Sequence, residues 1–182
     1  MAVVYLDSFL TLIADNDFKK IPTGKLYFYG LWGGYMRGFE SNDATFQQMK
    51  SSGSLRYFAN AELEQLIGEY DRLLRSIHSL DEVDRPIFLE TRKARAKIFS
   101  YKYNNEASRI VQSSVFSNFN AAVIDSFINT NPPLLTDEKI IFNEYAELCR
   151  SRNLKQQLQN TKMALSMATA IIEELKNEYH LK

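Results

Sequence analysis

Along most of the chain apolar residues return every third or fourth position, the spacing of one helix face. They do not alternate singly, as a half-buried strand requires. Residues 2–15 carry Val4, Leu6, Phe9, Leu10, Leu12 and Ile13 before Asp15-Asn16-Asp17 and Ile21-Pro22-Thr23-Gly24 interrupt. Leu26 to Phe39 holds six aromatics and four glycines with no β-branched residue, which weakens a strand more than a helix. Ser41-Asn42-Asp43 offers N-caps for a short helix holding Phe46 and Met49, and Gly53 falls at its C-terminal stop with Leu55 placed to fold back. Asn60 then caps the clearest amphipathic helix, with Leu63, Leu66, Ile67, Tyr70, Leu73, Leu74 and Ile77 apolar.

Downstream, Asp81 to Pro86 reads as a turn, with Pro86 opening a helix that carries Ile87, Phe88, Thr91, Ala94, Ile98 and Tyr101. Asn104-Asn105 reads as a break. Asn105 caps a further helix with Ile110, Val111, Val115, Phe119, Ala122, Val123 and Phe127 on one face, ended by Asn131-Pro132-Pro133. Thr136 caps the last segment, which has neither Pro nor Gly from Asp137 to Tyr179. Ile141, Tyr145 and Leu148 mark its first seam. Leu154, Leu158, Thr161, Leu165, Ala168, Ile172, Leu175 and Tyr179 mark a second, alternately four and three apart. The two are out of phase across Arg150-Ser151-Arg152-Asn153, so the helix bends there or its contacting face rotates. A 3.5-residue period calls for coiled-coil packing. The expected architecture is all-α: an elongated helical bundle in one domain spanning 1–182, with a long, coiled-coil-like C-terminal helix over about 137–180.

The 182 residues are enough to bury a core without disulfide or metal staples. Lys and Arg number 22 against 22 Asp and Glu, which argues against nucleic acid as the main partner. The single cysteine, Cys149, excludes an internal disulfide and lies on an apolar helix face, where a buried structural thiol is the expectation. No run reaches the ~20 apolar residues that span a bilayer, and the N-terminal run lacks a basic flank or cleavage site.

Motifs for chemistry are sparse. His78 and His180 form no metal-binding pair, and no cofactor is expected. Asp81, Glu82 and Asp84 near His78 make a candidate cation site, set against a solvated turn. Ser51, Ser52 and Ser54 surround Gly53 without a nucleophile elbow, and Gly30, Gly33, Gly34 and Gly38 precede no phosphate-loop lysine. The basic run Arg92, Lys93, Arg95, Lys97 and Lys102 is weighed as an anionic-partner face against a solvated face balanced by Glu90 and Glu106. The candidate binding residues are Tyr29, Trp32 and Tyr35 of the aromatic stretch and Lys50, Ser52 and Arg56 around Gly53.

Thr45-Phe46, Lys50-Ser51-Ser52-Gly53-Ser54-Leu55 and Asn60-Ala61-Glu62-Leu63, with a helix running on to Tyr70, together resemble the bacterial membrane-anchored domain-of-unknown-function family 6090. Its pattern is Thr-aromatic, then Leu/Met-Lys-Ser-Ser-Gly, then Asn-x-x-Leu. Ala168, Ile171, Ile172 and Leu175 echo a terminal pattern of the same family. The resemblance implies a helical region on the periplasmic face, tethered by a membrane helix absent from this sequence, and brings no catalytic residues. The expected function is therefore a non-enzymatic binding or sensing module for an unidentified protein or small ligand. The alternatives are a structural or oligomerising protein, with a homodimer through Leu154, Leu158, Leu165, Ile172 and Leu175, or a cytoplasmic helical adaptor. An enzyme stands last.

Overall fold

A computed structural model describes residues 2–15, 20–35, 38–54, 60–116 and 121–180. The protein is all-α, and no strand occurs among these residues; a single antiparallel bridge joins Phe99 and Leu134. The helices are α1 (Ala2–Asp15), α2 (Thr23–Leu31) followed by a 3₁₀ turn (Trp32–Gly34), α3 (Ala44–Ser52), α4 (Ala61–Ile98), α5 (Tyr101–Phe116), α6 (Ala121–Ile128), α7 (Lys139–Ser151) and α8 (Leu154–Tyr179). No helix is long and apolar enough to cross a membrane among the described residues.

The chain divides into two compact units. Unit 1 holds residues 1–37 and 84–152; unit 2 holds 38–83 and 153–182. In unit 1, Leu6, Phe9 and Ile13 of α1 are buried, as are Leu26, Tyr27, Phe28 and Leu31 of α2. Phe9 and Phe99 both meet the Tyr145 ring of α7 edge-on, at 5.3 and 6.1 Å, a favoured aromatic geometry. The Tyr27 hydroxyl donates to the Pro133 carbonyl at 2.7 Å and accepts from the Ser100 amide at 2.8 Å. One buried phenol thereby fixes both the α4–α5 link and the proline segment. In unit 2, Leu63, Ile67, Leu74 and Ile77 form the buried face of α4, and Leu74 and Ile77 cluster with Ala164 of α8.

Four sequence expectations are revised. The turn at Asp81–Pro86 is absent, since α4 continues through Pro86 for 38 residues. The amide that proline lacks would lie on an exposed stretch (Glu82 and Pro86 are both solvent-facing), so the missing bond falls where water competes. The break expected at Asn104-Asn105 lies instead at Phe99-Ser100, where the bridge to Leu134 takes the backbone out of the helix, and α5 begins at Tyr101. In α6, Ile124 and Phe127 are buried while Ala122 and Val123 face solvent; Val111, Val115 and Phe119 lie outside the described side chains. The segment from 137 onward is two helices, and the break at Arg152-Asn153 falls where the two apolar seams change phase.

Candidate functional site

In unit 2, α3 ends at Gly53 and α4 opens after Asn60. Gly53 closes α3 at φ 70°, a left-handed conformation that costs glycine nothing and any side chain strain. Its amide returns to the Lys50 carbonyl at 3.1 Å. The Asn60 Oδ1 accepts from the Glu62 and Leu63 amides at 2.9 and 3.1 Å, an N-cap that opens α4. Lys50 sits over the Phe46 ring, 5.4 Å from its centroid, and places Nζ 2.8 Å from the Asp71 carboxylate. Asp71 is 5% exposed and also pairs with Arg75. The serines turn onto their own helix: Ser51 Oγ donates to the Gln48 carbonyl at 2.9 Å and Ser52 Oγ to that of Met49 at 3.1 Å. Beside the ion pair runs an open groove of about 690 Å³ lined by Phe39, Glu40, Asp43, Asp71, Arg75 and His78 among others.

The aromatic candidates belong to unit 1. Tyr29 stacks on Tyr5 with centroids 5.7 Å apart, and Trp32 lies 5.3 Å from Tyr5 and 5.4 Å from Tyr35. Trp32 is 3% exposed, so its ring packs rather than faces solvent. Tyr29 and Tyr35 are half-buried. Lys50 and Ser52 lie in unit 2, and Arg56, like Leu55, falls outside the described residues.

Next to this cluster is a polar node that sequence reading missed. Arg152 and Asp84 are both fully buried at the side chain, and Nη2 stands 2.6 Å from the carboxylate while Nε reaches both of its oxygens at 3.1 Å. Nη1 donates to the carbonyls of Gly33 at 2.7 Å and Tyr35 at 2.9 Å. The guanidinium also lies over the Phe88 ring at 5.2 Å. A buried pair survives desolvation only when its remaining hydrogen-bonding positions are filled, and here the two carbonyls fill them. Asp84 and Arg152 are the first and last residues of the second stretch of unit 1, and the Gly33–Tyr35 turn lies near the end of its first. The only sequence signal was the phase change at Arg150–Asn153, and nothing linked it to an aspartate 68 positions earlier.

Cys149 is fully buried beside Tyr145, which donates to the Gly30 carbonyl. A Cβ at Gly33 would collide with the Cys149 sulfur and the Tyr145 hydroxyl, so glycine is required there. Burial pushes the Cys149 thiol up to about 12, against partial opposition from Tyr145, Arg152 and Arg95. Burial likewise raises Tyr145 well above the ordinary phenol range. Both groups are held neutral, so neither is an activated nucleophile.

The remaining charged candidates are spent on structure. Asp81 accepts from the Phe39 amide at 2.9 Å and Gln157 Nε2 at 3.0 Å, and Asp84 is held by Arg152, so these two helical carboxylates are already engaged. No group of three or more metal-binding side chains gathers among the described residues. In the basic run, Lys93 pairs with Glu90 and Lys97 with Glu144, and Arg95 donates to the Leu31 carbonyl at 3.4 Å. Burial lowers the Arg95 guanidinium from its ordinary value. Nearby, an apolar groove of about 710 Å³ lies among Pro86, Ile87, Leu89, Lys93, Ala96 and Leu148.

On α8 the buried face centres on Asn160 and Ala164. Leu158, Leu165 and Ile172 do not share it: they are 41%, 70% and 53% exposed. Leu154 and Leu175 are half-buried. No family model matches the chain, and neither a curated protein nor a solved structure matches it at significance.

Proposed function

We propose that this chain is a non-enzymatic helical binding module. In the full-length protein it stands outside the cytoplasm on a bacterial membrane, held by a segment beyond this sequence. One observation carries the reading: the described residues of its family-like signature serve as architecture. Gly53 ends α3, Asn60 starts α4, Lys50 holds Asp71, and the hydroxyls of Ser51 and Ser52 close on their own helix. A catalytic loop would aim those serines into a pocket with a base in reach. A signature that fixes a joint instead defines a scaffold, and a scaffold acts by what it presents. Tethering rests on the resemblance of Thr45-Phe46, Lys50 to Leu55 and Asn60 to Leu63 to family 6090.

The test is the location of the native full-length protein, tagged at its C-terminus. The expected result is recovery in membranes after carbonate extraction, with the domain digested when protease is added to spheroplasts. Recovery of the intact protein in the cytoplasmic fraction would overturn the tethered reading.

A further inference from the structure

The geometry points to the groove beside α4 and α7 as the seat of an acidic amphipathic segment of another protein, bound as a helix of about three turns. This rests on the binding-module reading and gives that module a partner. It makes no use of the tether, so the place of the protein in the cell does not bear on it.

The groove lies on the outer surface of unit 1. Thr91, Ala94 and Ile98 make the inner face of α4 and are at most 1% exposed. Pro86, Leu89 and Ala96 face solvent, Leu89 at 49%, while Ile87 and Leu148 of α7 are half-buried. Together these five line the apolar groove of about 710 Å³. From Pro86 to Ala96 the helix rises about 15 Å at 1.5 Å per residue, nearly three turns of a docked helix.

Charge selects the occupant. Glu90 on the groove is engaged by Lys93 at 2.8 Å. Glu144 and Glu147, on the part of α7 that carries Leu148, are engaged by Lys97 at 3.0 Å and Arg150 at 2.7 Å. Lys93, Arg95 and Lys97 of the basic run thus have partners inside the chain, whereas Arg85 and Arg92 meet no carboxylate among the described residues. Arg92 lies over the Phe88 ring, 5.6 Å from its centroid, and Arg85 is exposed. Arg85, Leu89, Arg92 and Ala96 fall four, three and four apart, on one face of α4. Two uncompensated guanidinium groups therefore flank Leu89, about 10 Å apart along the helix. A partner helix with apolar side chains inward and carboxylates at its edges matches both features, since each arginine offers a planar fork to a carboxylate.

Shape separates a protein from a bilayer. An anionic membrane also offers negative charge and apolar depth, but it takes up large apolar side chains that protrude from one face. Among the large apolar residues lining this groove only Leu89 protrudes; Ile87 and Leu148 are recessed. A recess between ridges is filled by the side-chain ridge of another helix.

Amide shifts in nuclear magnetic resonance spectra of the isotope-labelled full chain test the inference. The probe is a capped peptide of about four turns, with leucines three and four residues apart and glutamates elsewhere. Saturable shifts from Ile87 to Ala96 and at Leu148 are expected below about 1 mM, as for a small transient contact. The same peptide with lysines for glutamates should leave these amides in place. Arg85→Gln with Arg92→Gln should weaken binding about three- to tenfold, as the loss of two exposed charge contacts implies. Leu89→Ser should weaken it too, with the rest of the spectrum unchanged. Should the double variant lose its folded spectrum, Arg92→Gln alone carries the same test. No saturable shift, equal shifts with the lysine peptide, or unweakened binding by the arginine variants overturns the inference. So does broadening of the same amides by phosphatidylglycerol vesicles with no response to the peptide, which would make the face a membrane surface. Saturable shifts confined to other residues would overturn the groove while leaving a binding module in place.

Discussion

Arg152 ties three stretches of unit 1 together through buried polar contacts. Its guanidinium neutralises Asp84 and satisfies two carbonyls of the turn after α2. Arg152→Ala strands a buried carboxylate and two acceptors, and a loss of about 3–5 kcal/mol in urea unfolding is expected. Asp84→Leu with Arg152→Met removes both charges and should recover a good part of that loss. Cys149 makes a prediction about alkaline pH. Its folded pKa, about 12, exceeds the ordinary value of 9.0, so its contribution to stability is full below about pH 9 and falls as pH rises toward 12. Tyr145 shifts in the same direction and adds to the alkaline loss. Denaturant midpoints at pH 8 and pH 10.5 check this, with Cys149→Ala flattening part of the difference. Native Cys149 should also resist thiol reagents at pH 8 and react once the chain is unfolded.

At the scale of elements, local chemistry and tertiary packing can be separated by substitution. Asn60→Ala removes the cap of α4 and should cost about 1 kcal/mol; Gly53→Ala, strained at φ 70°, should cost about as much or more. Ser52→Ala touches an exposed bond and should stay within about 0.5 kcal/mol. Lys50→Ala loses one of two cations on Asp71, an expected cost of about 1–2 kcal/mol. Pro86 sits inside α4 without a turn to justify it. Pro86→Ala should therefore stabilise the protein, by an amount bounded by the roughly 3 kcal/mol that separates these residues in helix interiors. Thermal unfolding of the five variants ranks them. If Ser52→Ala proved the costliest and Asn60→Ala neutral, the joint would have been misread.

At the scale of the whole molecule, the exposed residues Leu158, Leu165 and Ile172 can be tested for self-association through the link between stability and concentration. A dimer that binds only folded chains raises the apparent melting temperature as protein concentration rises, by mass action. Wild type should show that dependence and Leu165→Glu should not.

Much of the helical build was legible because its signals are local. Asn60 caps within three residues, Gly53 ends a helix by its own φ, and the face from Leu63 to Ile77 repeats at 3.6. The helix after Leu154 and the break near Arg150–Asn153 were legible for the same reason, but the heptad residues are not the packed face: Leu158, Leu165 and Ile172 are exposed while Asn160 and Ala164 are buried. One boundary misled because the deciding contact was distant: Asn104-Asn105 is helical because the chain breaks at Phe99, held to Leu134; the other misled because Pro86 stays helical where its missing donor faces water. Composition showed aromatic material at Tyr29–Tyr35 but could not say that Trp32 is enclosed. The sequence by itself determined most helices, the Asn60 cap and the Gly53 stop, since these depend on neighbours a few residues away. The caps expected at Thr136 and Asn105 are not formed: Glu138 precedes α7 and Asn105 lies inside α5. Only the tertiary structure decided that Asp84 meets Arg152 and that Leu158, Leu165 and Ile172 stay uncovered, because burial is settled by residues far apart in the chain.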